Sequence, residues 1–114
     1  MTECLFCRIA AKEIPATIVF EDALCLAFDD INPVAPHHVL IIPRAHFATL
    51  DEIPASEAAL LGHMMTVATR IARDRGIGKS GYRVVVNCQA AAGQSVFHVH
   101  LHLMGGRPFH WPPG

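Results

Sequence analysis

The stretch from His98 to Met104 reads His-Val-His-Leu-His-Leu-Met, alternating polar and apolar residues before it stops at Gly105-Gly106. A period of two belongs to a β-strand, whose successive side chains point to opposite faces of a sheet. On a strand from Val96 to Met104, Val99, Leu101 and Leu103 share one face and His98, His100 and His102 share the other. The apolar face must be covered, so the chain has to supply a helix or a second sheet behind it. The imidazole face reads as a site. One histidine on a strand is commonly a satisfied structural residue; three at alternate positions, directly after Gly93-Gln94-Ser95, are poorly explained that way.

The cover is legible upstream. Leu60, Leu61, Met64, Val67, Ala68 and Ile71 recur at helical spacing and make one apolar stripe. This helix is expected to start near Pro54 to Ser56, with Ser56 or a neighbour as cap. Arg70, Arg73 and Arg75 fall in its last turns, where cations suit the dipole, and Gly76 and Gly78 end it. Residues 4–11 suggest a short N-terminal helix. Thr17–Glu21 and Leu24–Phe28, joined by Asp22-Ala23, read as a hairpin. Asp29 to Pro36 is loop; His38–Pro43 and Tyr82–Asn87 are two further strands; Gln89 to Gln94 is a small-residue loop. The expectation is an α+β fold with a mostly antiparallel five-stranded sheet, one long helix and a short N-terminal helix, forming a single domain over residues 1–114.

Composition narrows the function. With 114 residues, 52% hydrophobic and 17% charged, the chain can build a core. A net charge of −1 gives no large basic surface, so nucleic acid is not an expected partner. The start, Met1-Thr2-Glu3-Cys4, lacks a basic leader with an apolar run behind it, and no segment approaches a membrane span, so a soluble, cytoplasmic protein is expected.

Two chemistries use a histidine row. Neutral imidazole is a common metal ligand. It is also a nucleophile toward phosphorus near neutral pH, with neighbouring imidazoles donating hydrogen bonds to phosphate oxygens. The loop Gly93-Gln94-Ser95 offers backbone N–H groups to an oxyanion. Separately, Cys4-Leu5-Phe6-Cys7 has the spacing of two ligands of a tetrahedral zinc; a redox pair and unligated thiols are the other readings. Cys25 and Cys88 read as small buried apolar residues. Arg44 and Lys79 read as solvated charges.

The row resembles the signature of the histidine-triad superfamily. Further stretches are similar to its Hint branch, the histidine triad nucleotide-binding proteins: Lys12-Glu13-Ile14-Pro15, Phe20-Glu21-Asp22, Leu26-Ala27-Phe28, Ala35-Pro36 with His38, Ile42-Pro43, Asn87, Gly93-Gln94-Ser95, Gly105-Gly106-Arg107 and Trp111-Pro112-Pro113-Gly114. The resemblance implies a homodimer with a joined sheet, a purine nucleotide cleft on each subunit, and hydrolysis of nucleoside 5′-phosphoramidates to AMP or GMP and an amine. Carried onto this chain, His100 attacks the α-phosphorus, His102 and His38 contact phosphate oxygens, His98 orients the row, and Ser95 assists the leaving amine. Asn87, Gly93 and Gln94 line the phosphate pocket, Asp30 accepts from the ribose hydroxyls, and Phe6, Ile9, Phe28 and Ile31 sandwich the base. From the residues alone these four apolar side chains read better as plain core. Trp111 comes from the tail toward the partner's site. Relatives with zinc on such a cysteine pair imply His46 and His98 as the other ligands, the metal being structural.

One departure concerns the loop after Asn87. Cys88-Gln89-Ala90-Ala91-Ala92 stands where many relatives have glycines, and alanine tolerates positive φ poorly, so a stiffer or differently bent loop is expected. Three rival functions remain open: a dinucleoside polyphosphate hydrolase, a nucleotide- or protein-binding module with incidental turnover, and a purely structural zinc protein.

Overall fold

The five β-type runs become one antiparallel sheet. In the computed structural model, which describes residues 3–114, the strands are β1 (Ile18–Glu21), β2 (Cys25–Asp29), β3 (His37–Pro43), β4 (Tyr82–Val85) and β5 (Leu101–Gly105), in the order β1-β2-β3-β5-β4. Met1 and Thr2, counted in the domain expected over residues 1–114, lie outside the described residues. Helix α1 covers Leu5–Ala10 and helix α2 covers Ala58–Asp74. The α+β class with these elements is the one expected.

The two faces divide the apolar residues as the alternation requires. Val39, Ile41, Leu101 and Leu103 pack with Met64, Val67, Ala68 and Ile71 of α2. Leu26, Phe28, Leu40 and Ile42 pack on the opposite face with Phe6 and Ile9 of α1. The register pairs Leu40 with His102 and His38 with Met104, so His38 of β3 and His102 of β5 share the α1 face.

Three local expectations change. First, β5 begins at Leu101 rather than Val96. The ladder pairs Ile41 with Leu101, and extending it would pair Pro43 with Val99. Proline has no N–H to give a ladder. The Val99 N–H instead donates to the Phe47 carbonyl at 2.8 Å, and the Pro43 carbonyl accepts from the His98 ring at 2.8 Å. His98 and His100 therefore precede the strand rather than belong to it.

Second, Ser56 does not cap α2. A single 3₁₀ turn over Ala55–Glu57 comes first, closed by the Glu57 N–H on the Pro54 carbonyl at 2.9 Å, and Glu57 at the cap position makes no side-chain bond. Such a turn satisfies initial backbone groups without a side chain. At the other end, Gly76 (φ +76°) and the buried Ile77 close the helix through Ile77 N–H to Ala72 O and Gly76 N–H to Arg73 O, both 3.0 Å. The Arg75 guanidinium reaches back to Asp29 at 2.9 Å.

Third, Arg44 is not a solvated charge. Its Nε donates to the Asp22 carbonyl at 2.7 Å and its Nη2 pairs with Glu21 at 3.3 Å, tying the end of β3 to the β1–β2 turn. No helix among the described residues is long and apolar enough to cross a membrane.

Candidate active site

A cleft of about 300 Å³ opens on the α1 face of the sheet. Phe6 and Ile9 from α1, Phe28 from β2, Asp30 and Ile31 from the following loop, Ser95, His100 and His102 all line it, as do Asp29, Asn32, Ile14 and Val96. Phe6 and Phe28 meet edge to face with ring centroids 5.4 Å apart, and Phe6 stands edge-on to His100 at 5.1 Å. These buried aromatics are at once core and cleft wall. Ile31 is 90% exposed, at the rim.

The imidazoles are ordered by what their second nitrogen meets. His100 Nδ1 lies 2.8 Å from the His98 carbonyl, which accepts only from an N–H, so Nε2 carries the lone pair. His38 Nδ1 accepts the Val34 N–H at 3.1 Å, which leaves its proton on Nε2. That proton faces His102 Nδ1 at 3.0 Å, with Asp30 Oδ2 at 3.4 Å as a second, longer neighbour. His102 then carries its own proton on Nε2, outward from this bond. The row thus holds one lone pair, on His100, beside one N–H donor, on His102. Their ring centroids are 4.9 Å apart.

Burial pushes the His100 and His38 imidazoles below their ordinary range, against the opposing pull of Asp30. His102 falls furthest, to about 4, through burial first and then the neighbouring His100 and His38. Neutral rings are the reactive and donating forms this arrangement needs at neutral pH. Stability carries the same sign. An unfolded histidine takes up its proton near pH 6.5, and folded His102 does so near 4. Between these values the unfolded chain binds more protons, so stability falls as pH drops from about 6.5 to 4. The urea midpoint of the wild type should fall through that window, and less steeply in His102→Asn. A flat midpoint in the wild type would contradict the assignment.

Beside the row lies a second cluster. Cys4 Sγ, Cys7 Sγ, His46 Nδ1 and His98 Nδ1 lie within 4.8 Å of one another. Cys7 Sγ is 3.3 Å from His46 Nδ1, His98 Nδ1 is 3.3 Å from Cys4 Sγ, and the two Nδ1 atoms are 3.1 Å apart. Donors at zinc-bonding distance on a tetrahedron are separated by roughly 3.3–3.8 Å. His98 Nε2 donates to the Pro43 carbonyl, so its Nδ1 offers a lone pair inward, the orientation a ligand requires. The cluster Asp30, His38 and His102 fails this test, because the Val34 N–H occupies His38 Nδ1 and keeps the proton on Nε2, the nitrogen that would have to ligate.

The remaining candidates sit elsewhere. His38 and His98 act from behind the cleft and do not line it. Gln94 is buried and braces its own loop: its amide nitrogen donates to the Ala48 and Val96 carbonyls and its oxygen accepts the Gln89 N–H at 2.8 Å, so it is not presented to a phosphate. Ala90–Ala92 form a 3₁₀ turn, and the positive φ falls on Gln89 (+74°) and Gly93 (+89°), so the alanines do not bear the strain expected of them. Asn87 and Gly93 lie outside this chain's cleft lining, as does Trp111, 84% exposed on the tail. Composition gave no sign of the tail's anchorage: Phe109 lies between two guanidiniums, Arg107 at 4.3 Å and Arg83 at 5.1 Å.

An antiparallel sheet that brings alternate imidazoles of one segment to a cleft floored by a short N-terminal helix defines a histidine-triad domain. The HIT domain family model matches residues 11–109, and the chain belongs to that family. It is 52% identical over 112 residues to an uncharacterized HIT-like protein of Synechocystis, covering 98% of this chain and 97% of the relative. It is 46% identical over 106 residues to the purine nucleoside phosphoramidase of Escherichia coli K12, covering 93% and 89%. A HIT family hydrolase from Legionella pneumophila, solved by crystallography, superposes with a TM-score of 0.96 at 50% identity, covering 98% of this chain and all of that one.

Proposed function

We propose that the protein hydrolyses purine nucleoside 5′-phosphoramidates through a nucleotidyl-histidine intermediate on His100. The observation that carries this reading is the tautomer of the row: an imidazole lone pair on His100 beside an N–H donor on His102, both on a cleft with apolar walls. His100 Nε2 attacks the α-phosphorus, the P–N bond breaks, and the amine leaves with a proton that the Ser95 hydroxyl helps to deliver. Water then attacks the phosphorus, releases the nucleoside monophosphate and restores His100. His102 Nε2–H donates to the phosphate oxygens as their charge grows. Phe6, Ile9 and Phe28 hold the base, and Asp30, fixed by the Asn32 N–H at 2.8 Å, accepts from the ribose hydroxyls. The base walls are apolar, which suits AMP and GMP conjugates alike. The name of the Escherichia coli relative supports the substrate class.

The same reading includes zinc on Cys4, Cys7, His46 and His98 as a structural clip, with no cofactor in the chemistry. It includes a homodimer, since β4 ends the sheet and exposes a strand edge that a second copy can extend, bringing Trp111 toward the partner's cleft. Thiols held at a metal suit a reducing compartment, and we place the protein in the cytoplasm. The competing reading, a binding module with incidental turnover, uses the same cleft.

Intact-protein mass spectrometry after mixing with an adenosine 5′-phosphoramidate separates the two. A transient adduct the mass of AMP, with AMP release, is the expected result. Tight AMP binding with neither adduct nor AMP release would favour the module; splitting of a diadenosine polyphosphate in preference to the phosphoramidate would favour the polyphosphate hydrolase.

A further inference from the structure

The His38 tautomer depends on a backbone N–H that nothing in the sequence marks. Val34 lies in the loop between β2 and β3, and its side chain is 58% exposed, so packing does not hold it. Two hydrogen bonds do. Its N–H donates to His38 Nδ1 at 3.1 Å, and its carbonyl accepts from Arg107 Nε at 2.9 Å. Arg107 follows the glycines that end β5, and its guanidinium stacks on Phe109 and donates through Nη1 to the Pro108 carbonyl at 2.9 Å. Arg83 covers Phe109 from β4 and donates to the His110 carbonyl at 2.8 Å. A continuous path therefore runs from the stacked tail through Val34 to His38 and on to His102.

We propose that Arg107 is a positioning residue for the histidine row: by gripping Val34 from the C-terminal tail it keeps His38 protonated on Nε2, and so keeps His102 an N–H donor toward the cleft. Neither Arg107 nor Val34 lines the cleft. Without the grip, the Val34 N–H loses its alignment on His38, only the longer Asp30 contact at 3.4 Å still favours the proton on Nε2, and part of the population moves it to Nδ1, leaving the His102 Nδ1 lone pair unoccupied. A donor aimed at the phosphate becomes a mixture of donor and acceptor. Guanidinium is the group this position needs, since one planar fork bonds two carbonyls and stacks on a ring at once. Lysine offers a point charge and keeps only part of this.

The proposal rests on the hydrolase reading for its kinetic arm but not for its spectroscopic one. Ring-nitrogen 15N–1H correlation spectra of the ligand-free protein should show His38 as one Nε2–H tautomer in the wild type and as a mixture in Arg107→Ala. Arg107→Lys should lie between them. Val34→Pro, which deletes the donor itself, should reproduce the Arg107→Ala spectrum with the tail still stacked. In turnover of an adenosine 5′-phosphoramidate, Arg107→Ala should lower kcat by between about tenfold and a hundredfold, the range a displaced catalytic geometry costs, with KM within about twofold of wild type because the base and ribose contacts remain. An unchanged His38 tautomer in Arg107→Ala overturns the proposal, whatever the rate. So does a changed tautomer with full kcat, in which case Arg107 only anchors the tail. If the wild type turns over no phosphoramidate, the hydrolase reading fails by itself and the spectra still decide the tautomer claim.

Discussion

Replacing His100 with alanine is expected to lower phosphoramidate turnover by about four to six orders of magnitude and to leave AMP affinity within a few-fold of wild type. The asymmetry follows from where the ring stands. His100 is 5% exposed, with one nitrogen held on the His98 carbonyl and the other facing the cleft. Its removal deletes the atom that forms the bond to phosphorus, and no second imidazole is poised to replace it. His102 has its lone pair directed at His38, and His98 directs its own at the cysteine cluster. Phe28 and Ile9, the walls proposed to hold the base, are on other elements and survive the change. His102→Ala should cost less, about 10²–10³ in kcat, the usual effect of removing one donor to a developing oxyanion. Steady-state kinetics on the two variants, with calorimetric AMP titrations, check the order. Comparable losses in both would leave the nucleophile unassigned to His100, and retention of more than about 1% of wild-type turnover in His100→Ala would refute covalent catalysis there.

How far the sequence led is clearest in the row itself. Alternation correctly placed Leu101 and Leu103 under α2 and the imidazoles on the other face, because the pleat makes that assignment for any strand. It misjudged where the strand begins. The reason was written in Pro43, but reading it required the register with β3, a long-range pairing that no local pattern supplies. The apolar residues Phe6, Ile9 and Phe28 looked like core or base wall; they are core that also lines the cleft, because the sheet face that buries them opens it.

The residues that tune the site were harder to see. The protons of His38 and His100 are set by backbone groups of Val34 and His98, and backbone groups carry no residue signature. The resemblance put Gln94 in the phosphate pocket, yet its amide closes the loop, because a buried carboxamide must satisfy its donors and acceptors before it can serve a ligand. Arg44 looked like a solvated charge, and Arg107 only the end of a glycine motif, since nothing in their neighbourhood along the chain predicts the carbonyls they reach across the fold.

The second large effect concerns the cysteine cluster. If the proposed zinc is bound, a strong chelator should lower the melting temperature by roughly 12–20 °C, from about 4 kcal/mol of binding free energy at a thousandfold excess over Kd and roughly 3–5 °C per kcal/mol for a chain of this size. The geometry says why a bound zinc would stabilise the fold this much. Cys4 caps α1, Cys7 lies within it, His46 follows β3 and His98 precedes β5, so the proposed zinc would tie three segments that are far apart in the chain. Because that helix carries Phe6 and Ile9 into the cleft, its loosening should raise KM more than it lowers kcat, the reverse of the His100→Ala pattern. Cys4→Ser and Cys7→Ser together should melt at the chelated temperature and no longer respond to chelator. Cobalt substituted into the wild type should show thiolate-to-metal absorption that the double variant lacks. Identical melting with and without chelator, and no metal released on denaturation, would reduce the cluster to a hydrogen-bonded set of side chains, with α1 held by that set and by the packing of Phe6 and Ile9.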